Sequence, residues 1–201
     1  MATERAVNDF YPTQPELALA ITKLVASLIP MPGIVIEPSA GTEAFIKAAK
    51  QVWPTIPACG VDVDSAMQQP ILAAGADGVY IGDWVEAMAS HTLEPGTLIL
   101  GNPPFSLAEL HIRAGIDALP KDDFNVALLR MSFLGSQERV PFWAANPARY
   151  IIPLVPRPKF IPGKSGDNSE YAVFMWQKGF KGTTQLLPTL VWRALKKGKA
   201  A

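Results

Sequence analysis

Short apolar runs alternate along the chain with longer segments in which apolar residues recur every three or four positions. The short runs are typical of buried strands, and the longer segments are typical of helices that bury one face. Prolines and glycines separate the segments, as at residues 30–33, where the first predicted helix ends. The predicted strands are 34–36, 58–63, 78–81, 97–100, 125–130, 150–155 and 171–176. The predicted helices are 17–29, 42–52, 65–74 (N-cap Ser65), 106–119 (N-cap Ser106) and 137–145.

This order of elements predicts an α/β domain with a mostly parallel sheet between helices. In such sheets, ligands bind beyond the carboxyl ends of the strands, at the point where the strand order reverses. Four polar residues close or follow predicted strands: Glu37, Asp62, Asp83 and Asn102. We therefore expect these four side chains to meet at a ligand-binding edge of the sheet.

The composition disfavours several classes of protein. The chain of 201 residues carries 18 Lys+Arg and 18 Asp+Glu, so attachment to nucleic acid through bulk charge alone is not expected. One cysteine, Cys59, excludes an internal disulfide framework, and with only two histidines a metal site is not expected. Because no signal-peptide pattern and no run of about 18 apolar residues occurs, we expect a soluble, cytoplasmic protein without membrane contact. One domain is expected to span residues 1–201.

Three strand ends carry groups that suit a nucleotide-like ligand. The small-residue turn from Glu37 to Thr42 lets a ligand approach the backbone, and the next helix offers free N–H groups to a carboxylate. Asp62 can accept hydrogen bonds from both hydroxyls of a ribose. Asp83 can accept from an adenine amino group, and Trp84 can pack on the ring. Each has a structural alternative: an ordinary turn, a helix cap, or a surface turn with a buried tryptophan.

The segment Asn102-Pro103-Pro104-Phe105, after the fourth predicted strand, is the most specific feature of the sequence. Its prolines restrict the backbone, so the Asn102 side-chain oxygen and the Pro103 carbonyl can point at one position. Two acceptors there would hold a planar amino group and raise its electron density, while Phe105 stacks on the attached ring. The alternative is a rigid turn with a packed phenylalanine.

Together these motifs resemble those of S-adenosylmethionine-dependent DNA adenine-N6 methyltransferases, particularly small phage or prophage enzymes with a gamma-like motif order. The resemblance covers about residues 9–178. It implies the Rossmann-like, seven-strand class I methyltransferase fold and S-adenosylmethionine as the cofactor. It also implies double-stranded DNA as the substrate, no metal, and activity in the cytoplasm of a bacterial host.

The resemblance also assigns roles to individual residues. The cofactor-binding positions that it implies are Phe10, Tyr11, Pro12, Thr13, Glu37, Pro38, Ser39, Ala40, Gly41, Asp62, Val63, Asp83, Trp84 and Asn102. The implied catalytic tetrad is Asn102, Pro103, Pro104 and Phe105. Phe105 and Phe160 would pack against a target base flipped out of the DNA. Arg157 and Lys159 would bind the substrate.

The sequence departs from this family's pattern at three points. Glu43 stands where the first cofactor motif usually ends in a glycine, and its charge would disfavour a cofactor carboxylate if the side chain pointed inward. Phe105 stands where many relatives have tyrosine, and both rings can stack. No separate target-recognition domain is expected, so loops at 84–96, 132–140 and 156–170 would have to supply any selectivity.

Basic residues cluster in two places. Arg157, Lys159 and Lys164 share the loop at 156–170, and we expect this loop to contact nucleic acid. The basic tail at about 192–201 is expected to be a solvated surface.

Three further residues have side chains that could take part in binding or catalysis. We expect His91 in a loop and His111 on a helix surface, and neither as a catalyst. Arg130, at the end of the fifth predicted strand, either caps the sheet end or reaches a phosphate.

Other functions remain open. The same tetrad serves enzymes that methylate amino groups of RNA bases, cytosine N4 or a protein glutamine, because a planar amino group is common to all of these substrates. A methyltransferase fold that had lost its cofactor through Glu43 would be a non-catalytic binding module. A nucleotide-dependent oxidoreductase is disfavoured, because no glycine-rich dinucleotide fingerprint occurs.

Overall fold

The computed structural model of the protein describes residues 11–160 and 169–194, so Phe10, Lys164 and the tail from residue 195 lie outside it. Helices cover both faces of a central sheet. The strands are β1 (Ile34–Glu37), β2 (Ala58–Asp62), β3 (Gly78–Ile81), β4 (Thr97–Gly101), β5 (Phe124–Arg130), β6 (Tyr150–Val155), β7 (Tyr171–Gln177), β8 (Gln185–Leu186) and β9 (Leu190–Val191). The α-helices are α1 (Pro15–Leu28), α2 (Ala44–Val52), α3 (Gln68–Ala73), α4 (Trp84–Met88), α5 (Ala108–Ala118) and α6 (Val140–Ala145). Short 3-10 helices span Ser65–Met67, Met131–Gly135 and Gln137–Arg139.

The sheet is mostly parallel, as the order of elements predicts. The strand order is β3-β2-β1-β4-β5-β7-β6-β8, and β9 also pairs with β6. Strands β1 to β5 run parallel to their neighbours in the first part of this order, whereas β7 runs antiparallel to both β5 and β6. Seven strands lie where the sequence places them. The strands β8 and β9 were not expected, because two residues are too few to show a periodicity.

The strand order reverses between β1 and β4. From β1 the chain builds outward through β2 and β3, then crosses back to place β4 on the other side of β1 and β5 beyond it. The connections that follow β1 and β4 therefore leave the sheet in different directions, and a crevice opens between them. Glu37 ends β1 and Asn102 follows β4, so both residues lie at this crevice.

The core lies on both faces of the sheet, because successive residues of a strand point to opposite sides. In β5, Val126 and Leu128 pack with α1 and α2, whereas Ala127 and Leu129 pack with α5 and α6. Burial on both faces explains why the central strands are continuous apolar runs rather than alternating ones.

Two predicted helix caps are wrong. Asp64, not Ser65, precedes the 3-10 helix, and its Oδ1 accepts a hydrogen bond from the Ala66 N–H at 2.9 Å. A carboxylate one position earlier in the chain thus takes the role expected of the hydroxyl. Leu107, not Ser106, occupies the N-cap position of α5, which begins two residues later than expected and has no side-chain cap.

The helix α4 falls in a segment, 84–96, that the sequence predicts as a loop. Asp83 caps this helix, because its Oδ1 accepts a hydrogen bond from the Glu86 N–H at 2.9 Å. The helix has only five residues, which is too short for a helical period to show in the sequence.

The longest helix of the described ranges is α1, with 14 residues. A membrane-spanning helix needs about 20 predominantly apolar residues. No helix in residues 11–160 or 169–194 is long and apolar enough to cross a bilayer.

Replacing Gly115 with alanine should destabilise the protein. Gly115 lies on the buried face of α5, where a Cβ would lie 2.9 Å from Cδ1 of Ile99 and collide with the Asn125 amide. Asn125 is only 3% exposed, and its Nδ2 donates to the Ile112 carbonyl, so it cannot easily move. Overpacking costs about 1–3 kcal/mol, more than the gain of up to about 1 kcal/mol in helix propensity. We expect a lower free energy of unfolding in urea. Gly135→Ala is the control, because a Cβ there meets no described atom within 4 Å; equal destabilisation of both variants would contradict the prediction.

Candidate active site

A cavity of about 720 Å³ opens at the carboxyl edge of the sheet. Its walls come from the ends of β1, β2, β3 and β4 and from the segment before α1. The sequence-predicted site residues that line it are 11–13, 37–41, Asp62, Val63, Asp83, Trp84, Asn102 and Pro104. Parallel strands that end at one edge therefore bring together residues that are far apart in the chain.

Five other predicted site residues do not line this cavity: Pro103, Phe105, Arg157, Lys159 and Phe160. Phe105 and Phe160 instead belong to an aromatic cluster described below, and Phe10 is outside the described residues. The cavity wall carries several carboxylates. However, no group of three or more His, Cys, Asp or Glu within the described ranges is arranged to hold a metal ion.

Asp62 holds the turn between β1 and α2. Gly41 in this turn has a φ of 45°, a left-handed conformation that glycine adopts without strain. Its N–H donates to Oδ2 of Asp62 at 2.8 Å, and the Asp64 N–H donates to Oδ1 at 2.9 Å. Each carboxylate oxygen has a further lone pair, so Asp62 can still accept hydrogen bonds from a ligand.

Glu37 joins β1 to the start of α2. Its side chain is buried, and Oε2 accepts a hydrogen bond from the Ile46 N–H at 2.9 Å. Burial raises the pKa of this carboxyl well above its ordinary value, and the charges of Glu43 and Asp62 act in the same direction, against backbone hydrogen bonds from Ile46 and Phe45. Glu37 thus satisfies a free N–H group of α2, a helix without a side-chain cap of its own.

Glu43, the departure from the first cofactor motif, is turned along the helix. Its backbone is left-handed, with a φ of 55°, which is the conformation for which a glycine would be preferred. Its Oε2 lies 2.8 Å from Nζ of Lys47, and the residue does not line the cavity. The carboxylate is therefore paired on the helix rather than aimed at a ligand.

Asp83 and Trp84 meet the cavity at the start of α4. The carboxylate of Asp83 caps the helix, and Trp84 is only 1% exposed, with its Nε1 donating to the His111 carbonyl at 3.0 Å. The indole is a core side chain whose edge reaches the cavity wall. Its predicted contact with an adenine ring stays a prediction.

The prediction that His111 lies on a helix surface is wrong. The side chain is 7% exposed and lines the cavity, with Nδ1 3.4 Å from Oγ of Ser39. Burial lowers its pKa, and the charge of Asp83 opposes this effect. A signal was available, because His111 follows Ala108 by three positions and precedes Gly115 by four, on the buried face of α5.

Asn102 is held in one orientation by the segment before α1. Its Nδ2 donates to the Tyr11 carbonyl at 2.9 Å and to Oγ1 of Thr13 at 3.2 Å. Its Oδ1 is buried and has no hydrogen-bond partner among the residues that the structure describes. An unsatisfied buried acceptor costs about 1–3 kcal/mol, so native proteins retain one where a ligand or a reaction requires it.

The aromatic cluster comprises Tyr11, Phe105, Phe160 and Tyr171. Phe105 stacks on Tyr11 with ring centroids 5.2 Å apart and meets Phe160 nearly edge-on at 6.2 Å. A third ring between Phe105 and Phe160 would need a stacking separation on each side, about 9 Å in total. The slot in which the sequence predicts a target base is therefore closed in this conformation.

Arg130 covers this cluster. Its guanidinium carbon lies 4.8 Å from the Phe105 ring centroid and 5.8 Å from that of Tyr11, and its Nε donates to the Tyr171 hydroxyl at 3.3 Å. The sequence left its role open between capping the sheet and reaching a phosphate. The structure places it as a cation on the aromatic faces.

The basic loop after β6 is only partly described. Arg157 forms an ion pair with Glu170, and both side chains are about half exposed. Lys159 is exposed, and its backbone carbonyl accepts a hydrogen bond from Nε2 of Gln14 at 2.7 Å. The loop is thereby tied to the start of α1, on the side of the aromatic cluster. The proposed contact of both residues with a substrate stays a prediction.

No protein-family model matches the chain, and no curated protein matches it. Several solved structures are similar to the chain. A protein described as a class I S-adenosylmethionine-dependent methyltransferase from Listeria monocytogenes has a TM-score of 0.71 and 15% identity over 94% of this chain and 68% of its own. A predicted O-methyltransferase from Agrobacterium tumefaciens has a TM-score of 0.66 and 17% identity, over 87% of this chain and 86% of its own. The M protein of the type I restriction enzyme EcoKI has a TM-score of 0.64 and 15% identity, over 85% of this chain and 44% of its own.

These comparisons show the fold. The chain has the class I methyltransferase fold, as its motifs lead us to expect, with a mostly parallel sheet and helices on both faces. At identities of 15–17%, the similarity to these three structures concerns the fold alone.

Glu37 should make stability depend on pH. Its pKa is raised above the ordinary 4.5, so the folded state binds its proton more tightly than the unfolded state does. This stabilisation is complete below pH 4.5 and is lost as the pH rises through the raised pKa. Glu37→Gln cannot ionise and keeps an acceptor for the Ile46 N–H. Relative to wild type, we expect its free energy of unfolding in urea to increase between about pH 4.5 and 8. A constant difference across this range would contradict a raised pKa.

Glu43 should show the cost of a left-handed backbone. Glu43→Gly and Glu43→Ala both lose the ion pair with Lys47, so comparing them isolates the backbone conformation. The left-handed conformation costs a non-glycine residue about 1–2 kcal/mol, and the flexibility of glycine in the unfolded chain offsets about half of this. We expect the glycine variant to unfold with a free energy about 0.5–1 kcal/mol higher than the alanine variant. Equal values in urea denaturation would contradict the left-handed assignment.

Proposed function

We propose that the protein is an S-adenosylmethionine-dependent methyltransferase that methylates the exocyclic N6 amino group of adenine in DNA. The observation that carries this proposal is the buried Oδ1 of Asn102, an acceptor without a described partner beside a cavity that carries carboxylates at the ends of successive strands. A planar amino group is a donor that such an acceptor suits. The resemblance of the tetrad and the strand-end acids to the adenine-N6 family supports the same substrate.

The cavity supports S-adenosylmethionine as the cofactor. Its volume of about 720 Å³ lies in the range of small-molecule sites. We assign Asp62, with Val63, to the ribose hydroxyls, and Asp83, with Trp84, to the adenine. Residues 11–13 and 37–41 would hold the methionine part. The fold neighbour described as S-adenosylmethionine-dependent supports this cofactor, and Glu43, paired with Lys47, is not directed into its site.

Catalysis by this chain consists of positioning and electrostatics. When bound, the cofactor would supply a methyl group on a sulfonium, and the sulfur would leave as a neutral thioether when the methyl carbon–sulfur bond breaks. Oδ1 of Asn102 and the carbonyl of Pro103 would accept hydrogen bonds from the two amino hydrogens and so raise the electron density of the nitrogen that attacks the methyl carbon. One amino proton would then pass to solvent. The hydrogen bonds to Tyr11 and Thr13 orient the Asn102 amide before the substrate arrives, so little reorganisation is needed.

The substrate side must open before a base can bind. A base in a duplex has to be flipped out of the stack. Because Phe105 is stacked on Tyr11 and faces Phe160 at 6.2 Å, the base can reach the Phe105 ring only after one of these neighbours moves. Arg157 and Lys159, on the same side, would then contact the phosphates.

Asn102→Ala should lower the rate of methyl transfer far more than it weakens cofactor binding. Loss of one preorganised hydrogen bond at a reacting group typically lowers kcat by about 100- to 1,000-fold. The assay is transfer from labelled S-adenosylmethionine to unmethylated duplex DNA, followed by digestion to nucleosides and mass analysis. Asn146→Ala is a matched control, because Asn146 does not line the cavity and should keep wild-type turnover.

The outcomes of this assay separate the possible functions. A wild-type peak of N6-methyladenine that forms far more slowly in Asn102→Ala is the expected result. If methylation is found instead on cytosine N4, on RNA or on a protein glutamine, that group is the substrate in place of adenine in DNA. Absence of both transfer and cofactor binding would favour a non-catalytic binding module, and full turnover of Asn102→Ala with normal cofactor binding would contradict the role of Asn102.

A further inference from the structure

Among the titratable side chains that line the cavity, one neither takes part in the proposed mechanism nor caps a helix. His111 is 7% exposed, lies on α5, and faces the cavity between Ser39, in the turn after β1, and Asp83, at the cap of α4. Its backbone is fully engaged, because its N–H donates to the Leu107 carbonyl and its carbonyl accepts from Trp84. The ring itself is the unexplained group.

The hydrogen bonds of Ser39 favour one of the two neutral tautomers of the His111 ring. The Ser39 hydroxyl donates to the Pro38 carbonyl at 2.8 Å, so its proton is committed. This leaves Oγ of Ser39 as the acceptor at its 3.4 Å contact with Nδ1 of His111, which favours the tautomer in which Nδ1 carries the proton. In a neutral imidazole the other nitrogen, Nε2, is then an acceptor.

The neutral form is the one that this environment favours. Burial lowers the pKa of His111, and the charge acting against it comes from Asp83. The remaining charges of α5 and α4 are directed elsewhere: Glu109 and Arg113 pair with each other at 2.9 Å, and Asp117 and Glu86 are exposed. Within the described residues, the ring has a single polar contact, at Nδ1. Nε2 is thus an acceptor at a cavity wall with no described donor.

We propose that His111 is a further cofactor-binding residue, whose Nε2 accepts a hydrogen bond from the adenine amino group of the cofactor. The inference rests on the proposed function, which places the adenine at Asp83. An amino group has two hydrogens, and Asp83 and His111, which both line the cavity, would supply one acceptor for each. The pair would favour adenine over a purine that carries a carbonyl oxygen at the same position.

The test compares two ligands on matched variants by titration calorimetry. S-adenosylhomocysteine carries the adenine amino group, and S-inosylhomocysteine has a carbonyl oxygen in its place. His111→Leu removes the acceptor, whereas His111→Gln keeps an oxygen near the position of Nε2. We expect His111→Leu to weaken S-adenosylhomocysteine binding about tenfold, and His111→Gln to stay within about threefold of wild type. S-inosylhomocysteine binding should not weaken in either variant.

Controls separate this contact from a loss of structure. His91→Leu changes the only other histidine, which is exposed, and should leave both affinities unchanged. Thermal unfolding of each variant shows whether it is folded. If His111→Leu does not fold, ¹⁵N spectra of the wild-type imidazoles replace it, since only two histidines contribute signals. We expect Nδ1 of His111 to be protonated and its Nε2 signal to move when S-adenosylhomocysteine is added.

The results of this test distinguish a wrong role for His111 from a wrong proposed function. If wild type binds S-adenosylhomocysteine but His111→Leu binds it equally well, the role of His111 is wrong and the proposed function stands. An equal loss for both ligands would also overturn the contact with the amino group. An Nε2 signal that does not respond to the ligand would do the same. If wild type binds neither S-adenosylhomocysteine nor S-adenosylmethionine, the proposed function itself is overturned.

Discussion

The site depends on the parallel hydrogen bonding of β2, β1 and β4. The register pairs Val35 of β1 with Ala58 of β2 and Leu98 of β4, so the three strands end together at one edge of the sheet. A shift of one residue would turn every side chain of a strand to the opposite face and is prevented by the two buried layers. With this register, the side chains at the strand ends surround one cavity, and the reversal of strand order keeps that cavity free of a crossing connection.

Most polar groups of the site also build the backbone around it. Asp62 holds the turn after β1, Asp83 caps α4, and Glu37 satisfies a free N–H of α2. The turns are thereby shaped by the same carboxylates that we assign to the ligand, so the site is formed before a ligand binds. Asn102 differs, because its Nδ2 is engaged and its Oδ1 is left without a described partner. A group that is positioned but unsatisfied is the strongest indication of chemistry in the structure.

The cofactor side and the substrate side of the site differ in how accessible they are to a ligand. The cofactor side is an open cavity with fixed walls, whereas on the substrate side Phe105 is covered by Tyr11, Phe160 and Arg130. The segment before α1 links the two sides, since Tyr11 contributes its carbonyl to Asn102 and its ring to Phe105. Movement of this segment would therefore affect both the orientation of the catalytic amide and access to the ring.

The sequence by itself determined the alternation of elements, seven of the strands, and the four polar strand ends, because periodicity and strand order are local properties of the chain. The motif order also predicted the class I fold correctly, while the target base and the extent of the domain stay predictions. The contact of the His111 ring with Ser39, the pairing of Glu43 with Lys47 and the cover over Phe105 were decided only by the tertiary structure. Helical spacing indicates the buried face of α5 for His111, but it does not show which residues surround the ring. Its neighbours, such as Ser39 beside His111, come from distant segments that meet only when the sheet and its two helical layers have packed.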